Sequence, residues 1–246
     1  VRKIFLLLVL FFLSFRGDAQ ISHYSWTQLL RKHVSDEGYV NYSGFIQDST
    51  RLNAYLEMLS NNPPKSSWSP NERMAYWINA YNAFTVQLMI RHWPVKSIKD
   101  LGGFIYRVNT TWDIEFIRIG SERVSLNYIE HKRLRTDFED YRIHFAVNCA
   151  SVSCPKLRNE AYASATLQQQ LDDQAAFFIN NSIKNDMSNP NNPRISKIFD
   201  WYSSDFEKGG NTVIKTLGKY SLKQISPNAR IGYLEYNWQP NIKSNY

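Results

Sequence analysis

Along most of this chain apolar residues recur with helical spacing, and only a few short stretches alternate. The clearest pattern runs from Ser69 to His92. Ser69-Pro70-Asn71-Glu72 is a capping box with proline at the first helical position, and Trp93-Pro94 ends the run. At 100° per residue, Trp77, Tyr81, Phe84 and Leu88 share one face, while Ala75, Asn79, Asn82, Ala83 and Val86 fall on the other. A bulky apolar face backed by a small-residue face predicts a helix buried on both sides, the central helix of the fold. The spacing predicts further helices over 25–34, 43–60, 126–133 and 166–180, and another starting near Asp200. A turn and short strand are expected over 36–42, a hairpin over 113–124, and strand pieces over 194–196 and 231–236. Ile143, Phe145 and Val147 alternate with His144, Ala146 and Asn148, so 142–148 reads as a strand. Asn61-Asn62-Pro63-Pro64 and the Asn/Pro-rich stretch 185–193 read as surface loops, not domain boundaries. The fold class is α+β: a mostly helical single domain around a central buried helix, with a small, mainly antiparallel sheet.

Residues 1–19 stand apart from this pattern. Arg2 and Lys3 precede an apolar run from Ile4 to Phe15, and Gly17-Asp18-Ala19 supplies small residues at a cleavage position. This predicts a secretory signal peptide, since a membrane span needs about 20 apolar residues. Arg16 and Asp18 are unusual there, so an uncleaved tether is the alternative. The mature chain, 20–246, is expected as one exported globular domain, periplasmic or secreted, with no stable membrane insertion. Lysine and arginine total 29 against 22 acidic residues, with both signs spread along the chain and no arginine-rich arm. That argues against a nucleic-acid partner.

Both cysteines, Cys149 and Cys154, fall in one short run, Arg142 to Pro155, together with His144. Three readings compete. In an oxidising compartment the two can form a small structural disulfide. Alternatively Cys149 is a reactive thiol activated by a base, or both thiols are inert. In a strand, His144 and Cys149 point to opposite faces, which makes His131, from another element, the freer candidate base. Glu130 is about 100° from His131 around a helix and suits a separate acid or orienting role. Asn79 and Asn82 either pin neighbouring backbone or polarise a reacting carbonyl, because buried amides must be satisfied. The usual zinc-ligand spacings are absent, so neither a metal nor another cofactor is expected.

Tyr76-Trp-Ile-Asn-Ala-Tyr-Asn-Ala83, Ile129-Glu-His131, Ile143 to Pro155, Ile198 to Phe206 and Tyr236-Asn-Trp238 follow one another in order. Together they resemble the family known as domain of unknown function 547, over roughly Asn71 to Pro240, and the chain reads as an exported bacterial member. In that family the last motif usually reads Tyr-Asp-Trp, so Asn237 is a departure. The resemblance draws Asn79, Asn82, Glu130, His131, His144, Cys149 and Cys154 together. It implies an architecture similar to papain-like or transglutaminase-like cysteine enzymes in permuted order, with the base before the nucleophile. The expectation is a thiol hydrolase or acyltransferase acting on amide or ester bonds of a peptide or small molecule. Cys149 is then the nucleophile, His131 the base, Glu130 an orienting or protonating group, and Asn79 or Asn82 an oxyanion donor. The rival is a non-catalytic binding domain in which Cys149–Cys154 is a bridge and Trp112 and Trp201 line a groove.

Overall fold

The computed structural model describes residues 21–102 and 110–245; the predicted signal segment lies outside them. Helices dominate, as the periodicity predicts. α1 (Tyr24–His33), α2 (Tyr42–Gln47) and α3 (Ser49–Asn61) lead into α4 (Pro70–Arg91). The capping box at α4 is closed: Glu72 N–H donates to Ser69 Oγ at 3.2 Å, and Ser69 N–H donates to Glu72 Oε2 at 2.7 Å. Every residue from Met74 to Met89 is buried, so α4 is the central helix. α2 and α3 pack against it, and α1 packs on α3.

The predicted helix over 43–60 is divided at Asp48. Its carboxylate takes Lys32 Nζ and His33 Nε2, each at 2.6 Å, and its backbone leaves the helical region. That local pairing turns the chain between α2 and α3.

The hairpin is present: β1 (Ile117–Ile119) pairs antiparallel with β2 (Glu122–Val124). Gly120 turns it at φ +61°, a conformation glycine adopts without a steric cost. A second small pairing, β3 (Arg194–Ile195) with β4 (Gly232–Tyr233), is parallel. Antiparallel bridges at Val34–Val40, Ser151–Pro240 and Asp186–Arg194 complete the sheet-like contacts.

Two expectations are corrected. Residues 142–148 do not form a strand; Ile143–Ala146 is a helical turn, and Val147 is extended after it. Asp140 starts this turn by accepting the Arg142 N–H at Oδ1 (2.9 Å) and the Ile143 N–H at its carbonyl (3.1 Å). Positions 143–148 are all buried, so every face is covered and alternation carries no information about period. The predicted helix over 126–133 is π-helical over Tyr128–Leu134, where the Arg135 N–H reaches back to the Glu130 carbonyl. The wider turn alters the 100° spacing on which the Glu130/His131 geometry was reckoned.

We continue the labels with α5 (Tyr128–Leu134), α6 (Ile143–Ala146), α7 (Leu167–Ile179), α8 (Ile198–Trp201), α9 (Ser203–Phe206) and α10 (Val213–Tyr220). Two apolar clusters form the interior. The larger surrounds α4. The smaller is centred on Phe145, Phe178, Phe199 and Phe206, whose rings lie 4.9 to 6.3 Å apart. α6 joins them, with Ile143 in the first and Phe145 in the second. Among the described residues no helix is long and apolar enough to cross a membrane.

Candidate active site

The buried amides of α4 are spent on backbone. Asn79 Nδ2 donates to the Tyr162 carbonyl at 2.8 Å, and its Oδ1 accepts the Tyr162 N–H at 2.9 Å. Asn82 does the same one turn later: Nδ2 donates to the Ala146 carbonyl at 3.0 Å, and Oδ1 accepts the Asn148 N–H at 2.8 Å. Both amides therefore act as pins, and neither sits on the wall of the cavity described below. Asn82 clamps the chain between α6 and Cys149.

Asn148 continues the clamp. Its Nδ2 donates to the Pro155 carbonyl at 2.7 Å, and its Oδ1 accepts the Ala150 N–H at 2.9 Å. Ala150 is held at φ +59°, a left-handed conformation uncommon for alanine. The turn is anchored from outside by the C-terminal segment. Val152 N–H donates to the Gln239 carbonyl at 2.8 Å, and Asn237 N–H donates to Ser153 Oγ at 2.8 Å. This docking carries the Tyr236 hydroxyl to 3.3 Å from Cys149 Sγ. Asn237 itself is exposed, and its Oδ1 accepts the Gln239 N–H at 3.0 Å. An aspartate oxygen could accept the same N–H, so this turn does not distinguish the two residues.

Both cysteines are free thiols. No Cys149–Cys154 bridge is present in this structure; the Cys149 N–H donates to Cys154 Sγ at 2.7 Å. Burial pushes the Cys149 thiol up, but hydrogen bonds from Cys154, Ser151 (3.3 Å) and Tyr236 outweigh it and hold the pKa below the ordinary value. Burial drives Cys154 the other way, well above its usual range, and the neighbouring Cys149 adds to the rise. The pair thus favours one thiolate, on Cys149. No helix starts at Cys149, so a helix dipole is not part of this activation.

Cys149 lines a cavity of about 220 Å³ together with Glu130, His144, Tyr202, Tyr236 and three tryptophans, Trp112, Trp201 and Trp238. His144 is buried, stacks on Tyr202 with ring centroids 3.9 Å apart, and bonds Asp205 Oδ2 through Nε2 at 2.8 Å. Asp205 also accepts from Arg135 Nε at 2.5 Å. Burial opposes ionisation of Asp205, but the His144 and Arg135 hydrogen bonds prevail and keep it a carboxylate. Burial lowers the His144 pKa despite the Asp205 bond, so the ring is neutral. A neutral imidazole donating Nε2–H to a carboxylate has its lone pair on Nδ1. That Nδ1 is buried and unpartnered. The Cys149 sulfur is turned toward Ser151 and Tyr236 and makes no hydrogen bond to His144.

The remaining sequence-derived residues divide. Glu130 is on the cavity wall and faces Tyr202, whose pKa is raised by burial first and by the Glu130 carboxylate second. His131 is not on the wall; its Nδ1 accepts from Arg135 at 2.9 Å. Asp205, Tyr202, Tyr236 and Asn148 were given no role from sequence. The first three sit inside the Ile198–Phe206 and Tyr236–Trp238 motifs, yet nothing in their spacing reveals that they fold over Cys149. Among the described residues no group of three His, Cys, Asp or Glu side chains converges to hold a metal ion.

Comparison with known families bears on this geometry. The model of the family described as "Protein of unknown function, DUF547" matches residues 65–179. That stretch belongs to the DUF547 family. It carries α4, α5, the Cys149 turn and α7; Asp205, Tyr236 and the tryptophans 201 and 238 lie beyond it. No curated protein and no solved structure matches the chain, so the papain-like or transglutaminase-like arrangement has no structural neighbour behind it.

Proposed function

We propose that this DUF547 chain is a cysteine-dependent hydrolase or acyltransferase acting on amide or ester bonds, with Cys149 as nucleophile and the His144–Asp205 pair as its base. One observation carries the reading: a thiol whose pKa is held down by hydrogen bonds shares an aromatic cavity with a neutral, buried imidazole whose far nitrogen is held by a carboxylate. These supply the nucleophile, base and orienting acid of a triad, with the base–acid bond formed and the nucleophile–base bond not made in this structure. His144 replaces His131 as the base because it is on the cavity wall and His131 is not.

The reaction begins when the Cys149 side chain rotates from Tyr236 toward Nδ1, a tightening expected of a site without substrate. The thiol proton passes to His144 Nδ1, the sulfur bonds the carbonyl carbon, and the carbonyl π pair moves onto oxygen. Collapse of the tetrahedral adduct expels the amine or alkoxide, which takes the proton from the imidazolium. The thioester left on Cys149 is then cleaved by water or by an amine. In this reading residues 1–19 direct export and 20–246 act as one unit in the periplasm or outside the cell.

p-Nitrophenyl acetate tests the assignment. The wild-type chain should release a burst of nitrophenolate and carry an acetyl group on the Cys149 peptide, and Cys149→Ala should do neither. Equal hydrolysis by both, with no adduct, would overturn it.

A further inference from the structure

The walls of the Cys149 cavity say what kind of group it receives. Trp112, Trp238, Trp201 and Tyr236 form a continuous aromatic surface, with ring centroids 5.7 Å (Trp112–Trp238), 5.8 Å (Trp201–Trp238) and 4.5 Å (Tyr236–Trp238) apart. Trp201 is 47% exposed, so this surface reaches from the interior to the mouth. Aromatic faces carry negative quadrupole potential and attract cations. The surface already does so within this chain: the Lys99 ammonium lies 4.9 Å from the Trp238 ring centroid.

The one charged side chain that lines the cavity is negative; Lys99, on the Trp238 ring, is not among the lining residues. Among the described lining residues there is no lysine or arginine, and the one carboxylate is Glu130. Glu130 is only 4% exposed; the Tyr202 hydroxyl is its hydrogen-bond partner, the Arg135 charge acts on it from a distance, and it makes no ion pair among the described residues. Arg135, the nearby cation, is committed to Asp205 at 2.5 Å and to His131 at 2.9 Å. A buried carboxylate without a counter-ion is costly, and a bound cation would supply one. An anionic ligand is repelled here and a cationic one is drawn in. The cavity, at about 220 Å³, falls below the roughly 300–1,000 Å³ of drug-sized sites, so it takes one compact unit and not an extended chain.

We propose that the cavity is an ammonium subsite: the substrate carries a protonated amine close to its scissile carbonyl, held between Glu130 and the Trp112/Trp238 faces. The substrate class is then an aminoacyl compound, an amide or ester of an amino acid with a free α-ammonium group. This deepens the hydrolase reading and rests on it for the word substrate, but the binding itself needs no nucleophile.

The test therefore uses the Cys149→Ala chain. It is titrated calorimetrically at neutral pH with leucine amide, whose α-amino group is protonated there, and with N-acetyl-leucine amide, which is neutral. The cation should bind about tenfold tighter or better than its neutral counterpart. Glu130→Gln in the same background should abolish that preference, and Trp238→Leu should weaken the cation selectively; the second variant stands if the first fails to fold. Equal or tighter binding of the N-acetyl compound, no binding of either, or a preference that survives in the variants would overturn the proposal. Cation preference without an acetyl adduct on wild-type Cys149 would retire the hydrolase reading alone. An adduct without cation preference would retire the subsite alone.

Discussion

Asn82 offers the most quantitative prediction. Asn82→Ala removes two buried hydrogen bonds, to the Ala146 carbonyl (3.0 Å) and from the Asn148 N–H (2.8 Å), and leaves both backbone groups without a partner. Each lost bond is worth about 1 kcal/mol net and each orphaned buried group about 1–3 kcal/mol, with overlap between the two accounts, so the loss is about 2–5 kcal/mol. Asn79→Ala removes an equivalent pair at Tyr162 and should cost a similar amount. The two variants differ in what they release. Asn79 holds the chain near Tyr162; Asn82 holds the residue before Cys149, and with it the turn that keeps the thiol against Ser151 and Tyr236. Urea denaturation reads the first effect, and the pH dependence of Cys149 alkylation reads the second. Both variants should lose stability, but only Asn82→Ala should move the Cys149 titration upward. A loss below about 1 kcal/mol for Asn82→Ala, or an equal shift in the Asn79 variant, would refute the reasoning.

Three further outcomes follow from the same structure. Tyr236→Phe deletes one of the hydrogen bonds that lower the Cys149 pKa, so alkylation of Cys149 should begin at higher pH than in the wild type; an unchanged profile would remove Tyr236 from the activation. Asp205→Asn takes away the carboxylate that fixes Nε2–H on His144 and should cut ester turnover by about 100-fold or more while Cys149 still alkylates; a loss of only a few-fold would detach Asp205 from the base. His23, bonded to Tyr55 Oη at 2.7 Å, has its pKa lowered by burial to about 4 from 6.5. The unfolded chain then takes up a proton between those values that the folded chain refuses, so stability is full above pH 6.5 and falls as the pH drops toward 4. His23→Gln should flatten that slope in urea melts, and an equally steep slope in the variant would assign it elsewhere.

The parts of the fold legible in the sequence are those where local chemistry and burial agree. The Ser69–Glu72 box and the two-faced run to His92 predict α4 nearly to the residue, because one amphipathic pattern and one cap point the same way. The hairpin at Gly120 is legible for the same reason. The turn at Ile143–Ala146 is not: all its faces are buried, and Asp140 decides the conformation from outside the alternating run. At the site, Cys149, Glu130 and His144 line one cavity and His131 does not; the expected strand, which sets His144 and Cys149 on opposite faces, hides that from the sequence. Asp205 and Tyr236 lie 56 and 87 residues beyond Cys149, and only the folding of the aromatic C-terminal segment over the cysteine turn brings them in. A single chain's spacing holds no trace of that contact.

The central claim is that Cys149, and not Cys154, is the activated thiol. The most direct measurement is the relative rate at which iodoacetamide modifies the two cysteines at neutral pH in the reduced chain, read by peptide mass. Cys149 should be modified first, about tenfold faster or more, because hydrogen bonds hold its pKa below the ordinary value while burial raises that of Cys154. Equal rates, or Cys154 reacting first, would contradict the account.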